Sequence, residues 1–285
     1  MVYLLSTSHL EDRIWFRDDD DFKSGMNYVA IASAQCKVII LCFVLMSNHV
    51  HFVIEADKTS CQLFIARFKQ LFSTHLSHRY RVKKFLRHNT CDIRSLQGEE
   101  SIERAIAYVM MNPVAANICL AANGYPWGSG NCYFNACPAE GVRMKGMSAR
   151  KRAKILHSTA SVDGSWLISG NGFILPESYI PIQKVERIFR TPGRMQYFLS
   201  TSSKARLRTE SEPHLLPSFR DQTLVTIISD LCISLFGKPS PASLNDIQRR
   251  RLVNELHRRF SVDILQLARI LSIPQNTIAD ILDQG

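Results

Sequence analysis

The chain has 285 residues, 46% of them apolar, which is enough for a substantial core and excludes general disorder. Its 35 Lys and Arg outnumber its 25 Asp and Glu, and the net charge of +10 points to a polyanionic partner, nucleic acid being the commonest. The longest apolar run, VIILCFVLM, is far short of the roughly 20 residues that span a bilayer, so no membrane segment is expected.

The opening MVYLLSTSHLEDR has no basic leader, so the expectation is a cytoplasmic protein without a signal peptide. Residues 2 to 7 suit a short strand. RDDDDFKSGMNYVAIASAQ predicts a helix beginning after the acidic cluster Asp18 to Asp21, where carboxylates meet a positive helix end. KVIILCFVLM, apolar and β-branched, predicts a buried strand, and HVHFVIE a second one paired with it across a turn at Ser47 and Asn48. SCQLFIARFKQLFSTHLSHRY carries Leu63, Phe64, Phe68, Leu71 and Phe72 at helical spacing, with basic residues between them. After the basic segment RVKKFLRH, EESIERAIAYVMMNP predicts another helix, stopped by Pro113. The order strand, helix, strand, strand, helix is that of an α+β domain with an antiparallel sheet and helices on one face.

NGYPWGSGNCYFNACPAEG closes this first domain, 1–140. Residues 141–210 read as a basic connecting segment with a small packed module near 171–200, and 211–285 as helices only. Within the last region DILQLARILSIPQNTIADIL, about 262–283, has the rhythm of a helix-turn-helix. Leu267 and Ala268 fall in its first helix, Ile273 in the turn, Ile278 and Leu282 in its second helix, which Pro274 opens. In a DNA-binding version Gln275, Asn276 and Thr277 reach base edges or phosphates; a plain αα-hairpin packed on the first domain is the other reading. Arg249, Arg250, Arg251, Arg258 and Arg259 in the preceding helix favour DNA. The 8 cysteines include no C-x-x-C pair, so reduced, buried thiols are expected in place of a zinc knuckle.

Two histidines interrupt the second paired strand. Residues i and i+2 of a strand share a face, so His49 and His51 point together while Val50, Phe52 and Ile54 face the core. Two imidazoles on one rigid strand supply two metal ligands, and a third must come from elsewhere. An H-x-H-x-D hydrolase pattern fails because Val53 occupies the Asp position, and an H-x-H barrel fails because strands and helices do not alternate. The helix SIERAIAYVMMNP has an apolar stripe of Ile102, Ile106 and Val109, and Arg104, Tyr108 and Asn112 stack four apart along a neighbouring face.

LMSNHVHFVIE, RFKQLFSTHL and AYVMMNPVAANI, in that order, resemble the single-tyrosine HUH transposases, especially those associated with repetitive extragenic palindromes. The resemblance covers about residues 1 to 135. It implies a ferredoxin-like sheet as the HUH nuclease domain, His49 and His51 as paired metal ligands, Tyr108 as the nucleophile and Asn112 as the polar third ligand. This sequence departs from the family at Ser47, where proline is usual, at Ala115, where NPVRA carries Arg, and at Gly128 in WGS, where two serines usually follow the tryptophan.

What the resemblance implies for activity is a metal-dependent single-stranded DNA endonuclease and strand transferase, a transposase. It would cut at hairpins or palindromes through a covalent 5′-phosphotyrosine that leaves a free 3′-OH. A neutral phenol with a pKa near 10 is a poor nucleophile at pH 7, and Mg²⁺ or Mn²⁺ held by two imidazoles and an amide oxygen would compensate. Arg67, Lys69, Arg79, Arg81, Lys83, Lys84 and Arg87, with Arg104 on the tyrosine helix, are the candidate single-strand contacts. The competing reading is a domesticated, non-catalytic DNA-binding regulator with the same fold, and a homodimer is left open.

Overall fold

The computed structural model describes residues 1–7, 14–81, 86, 90–116, 118–137, 139–202, 221–260 and 262–283. Strands β1 (Val2–Thr7), β2 (Ile39–Leu45), β3 (Val50–Glu55) and β4 (Cys91–Leu96) form one antiparallel sheet in the order β2-β3-β1-β4. Helix α1 (Asp19–Cys36) joins β1 to β2, and α2 (Lys58–Tyr80) joins β3 to β4, so the class is α+β in the order βαββαβ.

Helices cover both faces of this sheet, where the sequence reading placed them on one. Phe52 turns its ring toward Phe64 and Phe68 of α2, at centroid distances of 5.0 and 5.7 Å. His51, one residue earlier and on the opposite face, meets α3 (Glu99–Met110) through Tyr108. The physical reason is the unbroken apolar run of β2 and β3, in which consecutive residues are buried and each face therefore needs its own cover.

Asp18 caps α1, its carboxylate accepting from the backbone N–H of Asp20 and Asp21 at 3.1 Å each. Asp21 lies in the first turn and takes four donors from elsewhere: Arg17 N at 2.9 Å, and His75 Nε2, Arg79 NH1 and Tyr80 OH at 2.8 Å each. This buried carboxylate ties the start of α1 to the end of α2. On α2 the buried stripe is Phe64, Phe68, Phe72 and Leu76, whereas Leu63, read as part of it, is 58% exposed.

β4 was not foreseen. CDIRSL alternates polar residues and lies at the sheet edge with Asp92, Arg94 and Ser95 exposed, so it carries neither an apolar run nor strong β propensity. Pro113 does not simply stop α3: after Met111 a short α4 (Asn112–Ala115) follows, with the proline in its first turn.

The opposite edge, β2, is covered by residues 125–133. Leu45 N donates to Trp127 O at 2.9 Å, Ser129 N to Phe43 O at 3.1 Å, Tyr125 OH to Leu45 O at 2.7 Å, and Phe43 N to Ser129 Oγ at 3.0 Å. Gly128 bridges to Val44 so closely that a Cβ there would lie 2.7 Å from Phe43 O. Glycine at position 128 thus answers a close backbone contact.

Beyond residue 140 come β5 (Val142–Arg143), α5 (Ala149–Leu156), β6 (Leu167–Ile168), α6 (Ile182–Phe189) and α7 (Pro192–Thr201). Met144, Leu156, Ile168, Ile174, Val185 and Phe189 belong to the same apolar cluster as the sheet, which runs on past the change in composition. Asn27 of α1 fastens this part, accepting from Ile174 N at 2.8 Å and donating to Ile155 O at 3.2 Å.

A second apolar cluster is built by α8 (Asp221–Phe236), α9 (Asp246–Phe260), α10 (Ile264–Leu271) and α11 (Gln275–Asp283), centred on Leu224, Leu252, Leu267 and Ile278. Ile14 enters this cluster, and the next contact along the chain is an ion pair from Arg17 to Asp230, with the Arg17 guanidinium 4.1 Å from the centre of the Tyr80 ring. All 8 cysteines are free thiols, and among the described residues no helix is long and apolar enough to cross a membrane.

Candidate functional site

Met46 N donates to His49 O at 2.8 Å, closing the Ser47–Asn48 turn and setting His49 at the mouth of β3. Thr7 Oγ1 accepts from Val50 N at 2.9 Å and pins that mouth to β1. The two imidazoles therefore leave the strand on one face, centroids 4.9 Å apart and nearly perpendicular at 79°. His49 Nδ1 lies 2.7 Å from Asn48 Oδ1, an acceptor, so Nδ1 is the nitrogen that donates there. His51 Nδ1 lies 2.8 Å from Ser6 Oγ, its register partner on β1. Each ring is oriented through Nδ1 by a neighbour, as metal-binding imidazoles are.

α3 brings Tyr108 to this face. Its ring meets that of His51 at 5.4 Å and 81°. Burial pushes the phenol above its ordinary pKa of 10, and the positive charge of Arg94 pulls it part of the way back, so Tyr108 is a neutral phenol at pH 7. Asn112, one turn on and buried, donates from Nδ2 to Tyr108 O at 2.8 Å and Val109 O at 3.3 Å. The carbonyls dictate this orientation of the amide, since its oxygen could not face them. The carboxamide oxygen takes no hydrogen bond from the described residues.

Two imidazoles share this face, and Asn112 stands one helical turn after the tyrosine that meets His51. Among the described residues no three His, Cys, Asp or Glu side chains converge on a point, so a thiolate or carboxylate cage is not formed there. Two neutral nitrogens and an amide oxygen fit a divalent ion that keeps open positions for phosphate oxygens and water.

The expected DNA contacts are scattered. Arg67 lies on α2, on the far side of the sheet from Tyr108, where it bonds Gln35 Oε1 at 2.7 Å and Gln70 Oε1 at 2.8 Å. Lys69 is on the same helix, beside Cys91. Arg79 is committed to Asp18 and Asp21, and Arg81 ends α2 in the left-handed region at φ 59°. Lys83, Lys84 and Arg87 lie outside the described residues. Arg104 pairs with Glu100 at 2.5 Å, and its guanidinium lies 5.8 Å from the centre of the Phe198 ring. Gln275, Asn276 and Thr277 are exposed at the start of α11 in the second cluster.

Arg94, which the sequence reading did not single out, stands on the sheet face that carries His51, and its charge acts on the Tyr108 phenol. Alternation in CDIRSL was the available signal: with Ile93 inward, Asp92 and Arg94 share the other face.

No family model matches the chain, and no curated protein matches it. A solved structure of the REP-associated tyrosine transposase bound to a REP hairpin matches over 60% of this chain and 90% of that one, at 11% identity and a TM-score of 0.35. A likeness this weak bears on neither the fold nor the chemistry.

Proposed function

We propose that this protein is a metal-dependent single-stranded DNA nuclease and strand transferase of the single-tyrosine HUH kind, with Tyr108 as nucleophile. His49, His51 and Asn112 are the residues that would hold Mg²⁺ or Mn²⁺. The observation that supports this best is the meeting of the Tyr108 ring with His51 across two different elements, on the face where His49 and His51 already converge.

In this reading the Tyr108 oxygen attacks phosphorus, a new O–P bond forms on the 5′ side, and the bond to the 3′ oxygen breaks. The phenol proton leaves as the bond forms, and the 3′ oxygen gains one to become a free hydroxyl. Because one phosphodiester replaces another, a second 3′-OH can reverse the step and join a new strand. A bound divalent ion supplies charge neutralisation at the phosphate and at the departing oxygen. The chain's own part is positional: Asn48 and Ser6 hold the imidazoles, and the α3 end holds Tyr108 and Asn112 in one turn. The sheet is then the HUH domain, and α10 and α11 a helix-turn-helix whose exposed Gln275, Asn276 and Thr277 make a second DNA contact.

The test is a covalent-adduct gel using single-stranded hairpin oligonucleotides with Mg²⁺, Mn²⁺ or chelator. The expected result is a protein–DNA adduct that requires the ion and is lost in Tyr108→Phe. Binding without an adduct, across hairpins and both metals, would favour the non-catalytic regulator.

A further inference from the structure

Resting on that reading, we propose that Arg94 is a substrate-binding residue of the same site, its guanidinium gripping the phosphodiester that Tyr108 attacks. Register fixes its side. Leu4 pairs with both Val53 and Arg94, and Ser6 with both His51 and Asp92, so Arg94 emerges on the face that carries His51. From His51 it is two strands across and two residues along, about 12 Å between Cα atoms by ordinary strand spacing. An extended Arg side chain covers about half of that, which can carry its charge over β1 toward His51 on β3.

Arg94 is exposed, and among the described residues no carboxylate pairs with it, Asp92 on the same face included. The neighbouring arginines differ: Arg104, Arg190 and Arg194 are taken by Glu100, Glu99 and Glu103. A planar guanidinium that pairs with no carboxylate among the described residues, on the sheet face that carries two oriented imidazoles, is matched to a phosphodiester oxygen pair.

The experiment has two arms. In the first, a fluorescent single-stranded hairpin is titrated onto Tyr108→Phe protein at several salt concentrations, with and without Arg94→Gln. Loss of one phosphate contact lowers the slope of log K against log salt by about 0.7, and Arg94→Lys keeps it. In the second, adduct formation is timed in the protein with native Tyr108. Arg94→Gln slows it about 10²- to 10³-fold even at saturating DNA, and Arg94→Lys recovers part of the loss. Arg190→Gln, the same charge change at an exposed ion pair with Glu99, serves as control and leaves both readouts unchanged. An unchanged slope in Arg94→Gln overturns the proposal whether or not the native protein forms an adduct. A reduced slope with no adduct from any variant keeps Arg94 as a phosphate contact and removes only the nuclease reading.

Discussion

Asp21→Asn is the sharpest test of what holds the two long helices together. The native carboxylate is fully buried and receives four hydrogen bonds, from Arg17 N, His75, Arg79 and Tyr80. Asparagine keeps the shape but offers one acceptor oxygen, and its NH₂ group must face donors, so about two of the four bonds are lost. At about 1.5–3 kcal/mol for each bond to a charged group, and with Asp18 still available to Arg79, the cost is about 3–5 kcal/mol. Burial pushes the Asp21 carboxyl up, but the bond from His75 and the charges of Arg79 and His75 outweigh it, and the net direction is below the ordinary 3.8. The Asp21 contribution is therefore present above pH 3.8 and lost as the pH falls through the lower folded value. Asp18, pushed up by burial, works with the opposite sign, so the comparison is native against Asp21→Asn and not native alone. All 3 tryptophans, Trp15, Trp127 and Trp166, pack in the first cluster, so urea unfolding followed by intrinsic fluorescence reports that cluster. A loss below about 1 kcal/mol at pH 7, with unchanged m, would refute the reasoning.

Gly128→Ser adds a Cβ 2.7 Å from Phe43 O and loosens the edge cover of β2; an unfolding loss of about 1–3 kcal/mol is expected by fluorescence, and wild-type stability would contradict it. In the helical cluster, bonds from Arg269 and Gln266 hold Asp221 down to about 2, so this link is intact above pH 3.8 and fails as the pH falls toward 2. The pair is largely exposed, so its contribution is small, and thermal melts followed by circular dichroism should show native and Asp221→Asn converging at low pH. His51→Ala and His49→Ala should each weaken Mn²⁺ binding, read by electron paramagnetic resonance of the free ion, at least 10-fold; equal affinity in both would remove the metal assignment.

The central strands and the histidine pair were legible because they rest on the strongest local signals, an unbroken apolar run and a period of two. That Tyr108 lies against His51 was legible only through the resemblance in motif order, since nothing in AIAYVMM alone points to the histidine face. β4 and Arg94 were not, because an edge strand of mixed polarity looks like the basic loop before it until a partner strand sets its register. The placement of helices on both faces was present in the sequence, in the consecutive burial of β2 and β3, but strand order alone suggested a single cover. Charge counting along α2 could not say which face a basic residue serves, because that depends on helix packing: Arg67 and Arg79 turn to α1.

The most direct measurement is mass spectrometry of the isolated protein–DNA adduct after nuclease trimming. A nucleotide attached through its 5′ phosphate to Tyr108, with the released strand ending in a free 3′-OH, is the result predicted by this site. Attachment at another residue, or a 3′-phosphate on the released strand, would contradict it.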